Sequence, residues 1–136
     1  MLLPALFFAC KKEKEKNVSC NTDVSSISGS YKVAAYTYKA NASSPEQDYF
    51  NIIFSETCER DDILTFSSNG SWQLKDAGVV CSPSGDDNGS WTLSGNTLSI
   101  DGDATTIESF DCKNLVLVNS DVMTAGDKLK ITLARQ

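Results

Sequence analysis

The sequence contains no histidine, only three prolines, and only twelve basic residues against eighteen acidic ones. The absence of histidine excludes a histidine–zinc site, a Ser–His or Cys–His nucleophile pair and a histidine pH switch. A net charge of −6 argues against binding to a phosphate backbone, so we expect no nucleic-acid partner. The low proline content and the 40% of hydrophobic residues argue against disorder. The 136 residues are therefore expected to form one folded domain.

The N-terminal apolar run is too short to span a bilayer, which needs about 20 residues. It covers residues 1–9 and is followed by Cys10 and the charged stretch Lys11–Lys16. Leu6-Phe-Phe-Ala-Cys10 resembles the lipobox of bacterial lipoproteins, in which a small residue precedes a cysteine that is acylated and becomes the mature N-terminus. We therefore predict a signal peptide over residues 1–9 and lipidation of Cys10. The alternative is a buried N-terminal strand that ends in an ordinary cysteine.

The residues around Cys10 also bear on location. No basic residue precedes the apolar run, so we expect the sequence to begin inside a longer signal. Position 11 is not Asp, so nothing indicates retention in the inner membrane. The Lys/Glu stretch resembles the export signals of surface lipoproteins in some Gram-negative bacteria; the alternative is a solvated spacer. We expect a tether over residues 10–28 and a membrane-anchored protein of the bacterial outer membrane, facing the periplasm or exposed at the surface.

The rest of the chain consists of short alternating segments separated by turn signals, a pattern typical of an antiparallel sandwich or barrel. Ser68-Asn-Gly70 and Gly95-Asn96 are hairpin signals of this kind. We predict a domain over residues 29–136 with eight strands, which cover residues 31–39, 62–66, 71–75, 90–94, 97–101, 105–110, 115–118 and 129–133.

One segment between the first two strands has helical features. Ser44 is an N-cap, Pro45 suits the first helical position, and Gln47 completes a capping box. Apolar residues then follow at helical spacing. These features predict a short helix over Pro45–Phe54; the alternative is a ninth strand over Tyr49–Phe54.

With Cys10 acylated, four cysteines remain for disulfides. In an up-and-down meander, successive connections alternate between the two ends, which lie about 17–20 Å apart. Cys20 and Cys112 then fall at one end, and Cys58 and Cys81 at the other. Because a disulfide needs Cα atoms about 4.4–6.8 Å apart, we predict Cys20–Cys112 and Cys58–Cys81. A strand over residues 49–54 would break this alternation.

The stretch Cys58–Trp72, followed by Cys81 and Gly89–Ile100, resembles the lipocalin-like domain of bacterial envelope lipoproteins. The resemblance extends over residues 29–135 and includes Gly29-Ser-Tyr31-Lys at the start of the first strand. It implies an eight-stranded up-and-down antiparallel barrel, a lipid anchor and no established chemistry.

The resemblance also implies how such a barrel closes. In lipocalins a Trp of the first strand stacks under an Arg of the last strand. Here Tyr31 stands at the Trp position, and Arg135 is expected to close the barrel over it by a cation–π contact worth about 0.5–2 kcal/mol.

Acidic pairs occur at Asp61-Asp62, Asp86-Asp87 and Asp101-Gly-Asp103. Neither an EF-hand pattern nor a glycosidase-like carboxylate arrangement is present, and Asp next to Gly is an ordinary turn residue. We interpret these residues as turns; calcium ligands and catalytic carboxylates are the alternatives. We therefore predict no catalytic residue, no metal, no cofactor and no enzymatic activity.

Two functional hypotheses remain, both for a monomer. In the first, the barrel binds a small apolar or amphipathic molecule in a cup beneath the helix, lined by Tyr49, Phe50, Ile53, Phe66, Trp72 and Trp91. An interior fully filled by Phe66, Trp72, Trp91 and Leu93 would rule this hypothesis out. In the second, the barrel is filled and the protein is a structural or interaction module that contacts an envelope partner through the 76–88 loop. The repeated Asn-Gly-Ser-Trp of Trp72 and Trp91 is read as core packing, with carbohydrate stacking as the alternative.

Overall fold

The computed structural model describes residues 20–136. The predicted signal peptide, Cys10 and most of the predicted tether lie outside the described residues. Within that part of the chain, no helix has the length and hydrophobicity that a membrane span requires. The strands are β1 (Gly29–Lys39), β2 (Gln47–Asp48), β3 (Ile63–Phe66), β4 (Ser71–Lys75), β5 (Asp87–Ser94), β6 (Thr97–Ile100), β7 (Asp103–Phe110), β8 (Asn114–Ser120) and β9 (Lys128–Arg135). The helices are α1 (Val24–Ile27), α2 (Phe50–Ile53) and a 3-10 helix (Thr57–Glu59).

Eight of these strands form a closed antiparallel ring. Each strand from β3 to β9 pairs with its neighbour in sequence, β3 pairs with β1, and β9 returns to pair with β1 from Tyr31↔Arg135 to Lys39↔Lys128. Closure leaves no long sheet edge exposed. The predicted eight-stranded, up-and-down, lipocalin-like barrel is confirmed.

The segment between β1 and β3 differs from the predicted helix. The helix over Pro45–Phe54 is wrong in extent, because only Phe50–Ile53 is α-helical. The preceding residues pair with β1 instead: β2 lies beside Thr37 and Tyr38, and Tyr49 N–H donates to the Tyr36 carbonyl at 2.8 Å. The alternative of a ninth strand over Tyr49–Phe54 is also wrong, since the extra strand ends at Asp48. β2 lies on the edge of β1 that β3 also uses, so it does not change the alternation of the barrel ends.

Both predicted disulfides are present, one at each end of the barrel. Cys20–Cys112 joins the segment before β1 to the β7–β8 turn, with a Cα–Cα distance of 5.2 Å. Cys58–Cys81 joins the 3-10 helix to the loop between β4 and β5, also at 5.2 Å. We name the end with Cys20–Cys112 the closed end and the end with Cys58–Cys81 the open end.

The closed end is covered by α1. The sequence placed residues 20–28 in the tether; in the structure Cys20 N–H donates to the Phe110 carbonyl at 3.0 Å, and Ile27 is fully buried in the core. The helix begins at Asp23, whose carboxylate accepts from Ser26 N–H at 2.8 Å. The segment from Cys20 to Ser28 therefore packs against the barrel.

Arg135 contacts both Tyr31 of the barrel, over which it was predicted to lie, and the backbone of α1. Its Cζ lies 5.3 Å from the centre of the Tyr31 ring and 5.4 Å from that of Phe110. Its Nη2 donates to the Tyr31 hydroxyl at 2.8 Å and to the carbonyls of Ser26 and Ser28. The Tyr31 hydroxyl in turn donates to the Ile27 carbonyl at 2.6 Å. Burial raises the pKa of Tyr31, while the nearby guanidinium opposes this effect, and the neutral hydroxyl serves as both donor and acceptor.

Gly29 is required by its backbone conformation. Its φ is +146°, a conformation that other residues rarely adopt. A Cβ there would lie 3.4 Å from Nε and Nη2 of Arg135, which is an ordinary contact distance. The glycine of the Gly-x-Tyr at the start of β1 is therefore explained by the backbone turn into the strand.

We predict that Arg135→Met lowers the free energy of unfolding by about 3 kcal/mol, because it removes charge-assisted hydrogen bonds and a cation–π contact beneath α1. Urea unfolding of the full-length, disulfide-bonded chain measures this change. Lys113→Met is the matched control, since Lys113 is an exposed basic residue at the same end. Equal stability of the two variants would contradict the role given to Arg135.

Candidate functional site

The interior of the barrel contains a continuous cluster of buried apolar side chains. Phe66 and Trp91 pack with their ring centres 5.2 Å apart, and Tyr31 contacts Phe66 at 6.0 Å. The buried members of the cluster are Ile27, Tyr31, Phe66, Trp72, Trp91, Leu98, Ile107, Phe110, Leu115, Leu117 and Leu133. This packing extends from the closed end into the barrel.

Both tryptophans are held by hydrogen bonds as well as by packing. Trp72 and Trp91 are 8% and 3% exposed, so neither presents an open face for carbohydrate stacking. Trp91 Nε1 donates to the Ser67 carbonyl at 2.8 Å, and Trp72 Nε1 donates to Asp101 Oδ1 at 3.1 Å. Buried indole N–H groups usually have such partners. Asp101, which the sequence assigned to a turn, lies in the β6–β7 turn and also orients Trp72.

The predicted cup residues therefore fall into two groups. Phe66 and the two tryptophans belong to the packed core, and Leu93 is partly buried against them. The other three lie in or beside α2 at the open end. Tyr49 stacks on Tyr38 at 5.1 Å, and Ile53 is largely exposed.

α2 lies against β1 through aromatic contacts. Phe50 packs on Phe54 at 5.2 Å, and Phe54 meets the edge of Tyr36 at 6.1 Å. The helix begins at Phe50, whose N–H donates to the Asp48 carboxylate at 2.9 Å. The helix thus presents Phe50 toward the barrel wall and leaves Ile52 and Ile53 toward solvent.

Three of the four connections at the open end each carry two adjacent exposed apolar residues. They are Ile52 and Ile53 in α2, Val79 and Val80 in the 76–86 loop, and Val122 and Met123 in the 121–127 loop; we call these six residues the apolar rim. Their side chains are between 43% and 66% exposed. Apart from Val24 in α1, the large exposed hydrophobic residues of the described chain all belong to this rim. Exposed apolar residues that share one end of a barrel are a candidate binding surface.

The 121–127 loop is organised by a buried carboxylate. Asp127 is fully buried, and its two oxygens accept from the backbone N–H groups of Val122, Met123 and Thr124 at 2.7–3.0 Å. It also accepts from the Tyr38 hydroxyl at 2.9 Å. Burial on its own would raise the pKa of Asp127, but these hydrogen bonds outweigh burial and lower the pKa to about 2. The same hydrogen bond to Asp127 raises the pKa of Tyr38.

A second acidic group lies where β3 begins and β4 ends. Asp61, Asp62 and Asp76 each bring a carboxylate oxygen within 4.8 Å of the others. Burial, followed by the charge of Asp76, raises the pKa of Asp62 to about 6. We call these three residues the acidic cluster.

Asp76 was not among the site residues predicted from the sequence, although two features of the sequence pointed to it. The β3–β4 hairpin pairs Ile63 with Lys75, so the next position along each strand sets Asp62 opposite Asp76. The predicted Cys58–Cys81 bridge also draws these two segments together. A hairpin register assigned from the Asn-Gly turn would therefore have identified the third carboxylate.

We predict that Asp127→Asn destabilises the fold at pH 7, because the amide cannot accept all four donors. Asp127 binds protons less tightly in the folded than in the unfolded chain, so its stabilising effect is complete above about pH 4 and is lost as the pH falls toward 2. The stability gap between wild type and Asp127→Asn should therefore narrow over that range in urea titrations. Asp103→Asn, an exposed carboxylate with the same charge change, should show no such narrowing. A gap that stays constant from pH 5 to pH 2 would contradict the assignment.

Comparison with known proteins agrees with the barrel. A family model described as a lipocalin-like domain matches residues 27–123. A search of curated proteins finds no match to the chain. The matched region begins at Ile27, the last residue of α1, and includes the strands β1 to β8 and part of the 121–127 loop. The chain therefore belongs to the lipocalin-like domain family.

Proposed function

We propose that this protein is a lipid-anchored lipoprotein of the bacterial cell envelope that binds a small apolar or amphipathic molecule at the open end of its barrel. The observation that carries the proposal is the apolar rim: three separate connections place exposed apolar pairs around one end, above a packed core. A lipocalin-like fold is typical of binding rather than of catalysis.

The ligand would lie at the rim rather than deep in the barrel. Phe66, Trp72 and Trp91 already fill the lower interior, so a deep ligand would have to displace well-packed aromatic side chains. At the rim, α2 is a four-residue helix that contacts the wall mainly through Phe50 and Phe54. Burying Ile52, Ile53 and their neighbours under a ligand would supply the binding free energy.

The charge of the domain limits the head group of such a ligand. Eight basic and sixteen acidic residues follow Lys16, and the acidic cluster lies at the open end. This field repels anionic head groups. We therefore expect neutral or cationic amphiphiles to bind better than fatty acids.

The second candidate function is a structural or interaction module without a small-molecule ligand. The packed interior favours it, as do the exposed Val79 and Val80 in the loop that the sequence assigned to partner contact. The Cys58–Cys81 bridge would hold that loop in a defined shape for a partner. Native mass spectrometry of the membrane-extracted protein distinguishes the two candidates: a retained small molecule supports the first, and a co-purifying protein with no small molecule supports the second.

We predict that N-phenyl-1-naphthylamine, a neutral apolar fluorescent probe, binds saturably to the domain. Replacing Ile52 and Ile53 together by Ser should weaken binding about tenfold or more, because about 1.4 kcal/mol of lost apolar burial corresponds to a factor of ten. Fluorescence titration measures the change. Val24→Ser is the control, since Val24 lines a cavity of about 290 Å³ at the closed end with Trp91 and Leu93. Loss of binding in Val24→Ser but not in the rim variant would contradict the proposed site.

We predict that Cys10→Ala abolishes acylation and releases the protein from the membrane fraction. Two or more acyl chains give a stable anchor, and the net negative charge of the domain opposes adsorption of the unacylated protein to anionic bilayers. Intact mass and fractionation of cells that express wild type and variant measure both effects. Membrane association of Cys10→Ala at the wild-type level would show that the anchor lies elsewhere.

A further inference from the structure

The acidic cluster contains buried oxygens that have no hydrogen-bond partner. Asp76 is 5% exposed, and its Oδ1 has no donor within reach. Oδ1 of Asp61 and Oδ1 of Asp62 are also buried and without a partner. Leaving a carboxylate oxygen buried and unpaired is costly, so native proteins usually provide it with a donor or a cation.

No basic side chain compensates this charge within residues 20–136. The ion pairs of that part of the chain join Lys130 to Glu46 and Glu108, on the outer wall. The charged groups that act on Asp62 are all acidic: Asp76, Asp61 and Glu59. The acidic cluster therefore concentrates negative charge at one point of the open end.

The second oxygens of Asp61 and Asp76 hold the surrounding loop in place. Asp61 Oδ2 accepts from Val79 N–H at 2.6 Å, and Asp76 Oδ2 accepts from Cys81 N–H and Gly85 N–H at 2.9 and 2.8 Å. The Cys58–Cys81 bridge ties the same loop to the 3-10 helix. Asp61 and Asp76 are thus held by these hydrogen bonds, and each keeps one buried oxygen without a partner.

We propose that Asp61, Asp62 and Asp76 bind a hard divalent cation, Ca²⁺ in particular. Carboxylate oxygens are the ligands that Ca²⁺ prefers, at 2.3–2.6 Å, so oxygens that share one ion lie within about 5 Å of each other. The cluster meets this distance requirement. Water and backbone carbonyls complete the irregular shell of six to eight oxygens that Ca²⁺ accepts and Mg²⁺ does not. The sequence predicted no metal because the three ligands come from two strands and match no contiguous calcium motif.

The test uses the full-length, disulfide-bonded chain, freed of metal with EDTA and then dialysed. Calorimetric titration with CaCl₂ at pH 7.5 should show one saturable site, with a Kd of about 10⁻⁴–10⁻³ M as in extracellular calcium modules. Calcium at about 100 times Kd should raise the Tm by roughly 10 °C, and MgCl₂ should raise it less.

Three variants make the test specific. Asp62→Asn should lose the calorimetric signal, and Asp61→Asn serves as a second variant in which the amide oxygen still accepts from Val79 N–H. Asp103→Asn removes the same charge from an exposed strand end and should bind calcium like wild type. Wild type without saturable binding overturns the proposal, as does a wild-type affinity in both cluster variants. A metal-free wild type that loses stability between pH 5 and 7 and ignores calcium would show that Asp62 and Asp76 only share a proton.

Discussion

The pairing of β1 with β9 is the constraint on which the rest of the molecule depends. It runs from Tyr31↔Arg135 to Lys39↔Lys128 and turns a meander into a ring. In a closed up-and-down ring each connection lies at one of the two ends. The order of the strands determines which end that is. The disulfides, the packed closed end and the loops of the open end all follow from this alternation.

The strands could be predicted from the sequence because their alternation is local. In β4, for example, Trp72 and Leu74 face inward while Gln73 faces out, and the Ser68-Asn-Gly turn sets the hairpin. The disulfide pairs could be predicted because successive connections of an up-and-down barrel alternate between its two ends. The number of strands between two cysteines therefore shows whether they lie at the same end. These features were accessible without any knowledge of side-chain contacts.

The remaining features depend on tertiary contacts, which compete with the local preferences of the sequence. The capping signal at Ser44 and Pro45 is a local preference, but the β1 edge offers backbone hydrogen bonds to Asp48 and Tyr49, and these limit the helix to four residues. The depth of the core likewise depends on how Phe66 and Trp91 fill one space together. Neither the alternation of apolar and polar residues nor the composition shows whether inward-facing aromatic residues line a cup or fill it. Asp76 combines both kinds of feature. The hairpin register, which the sequence can give, places it opposite Asp62, whereas its burial depends on tertiary contacts.

Ring closure also has a kinetic consequence. Tyr31 and Arg135, which contact each other directly, are separated by 104 positions in the chain. Contacts of such long range make folding slow, since the entropy of closing a large loop must be overcome before the contact forms. During synthesis from the N-terminus, β1 emerges well ahead of β9 and has no final partner on that edge until β9 is made. The edge of β1 therefore remains open to wrong pairing until nearly the whole chain has been synthesised.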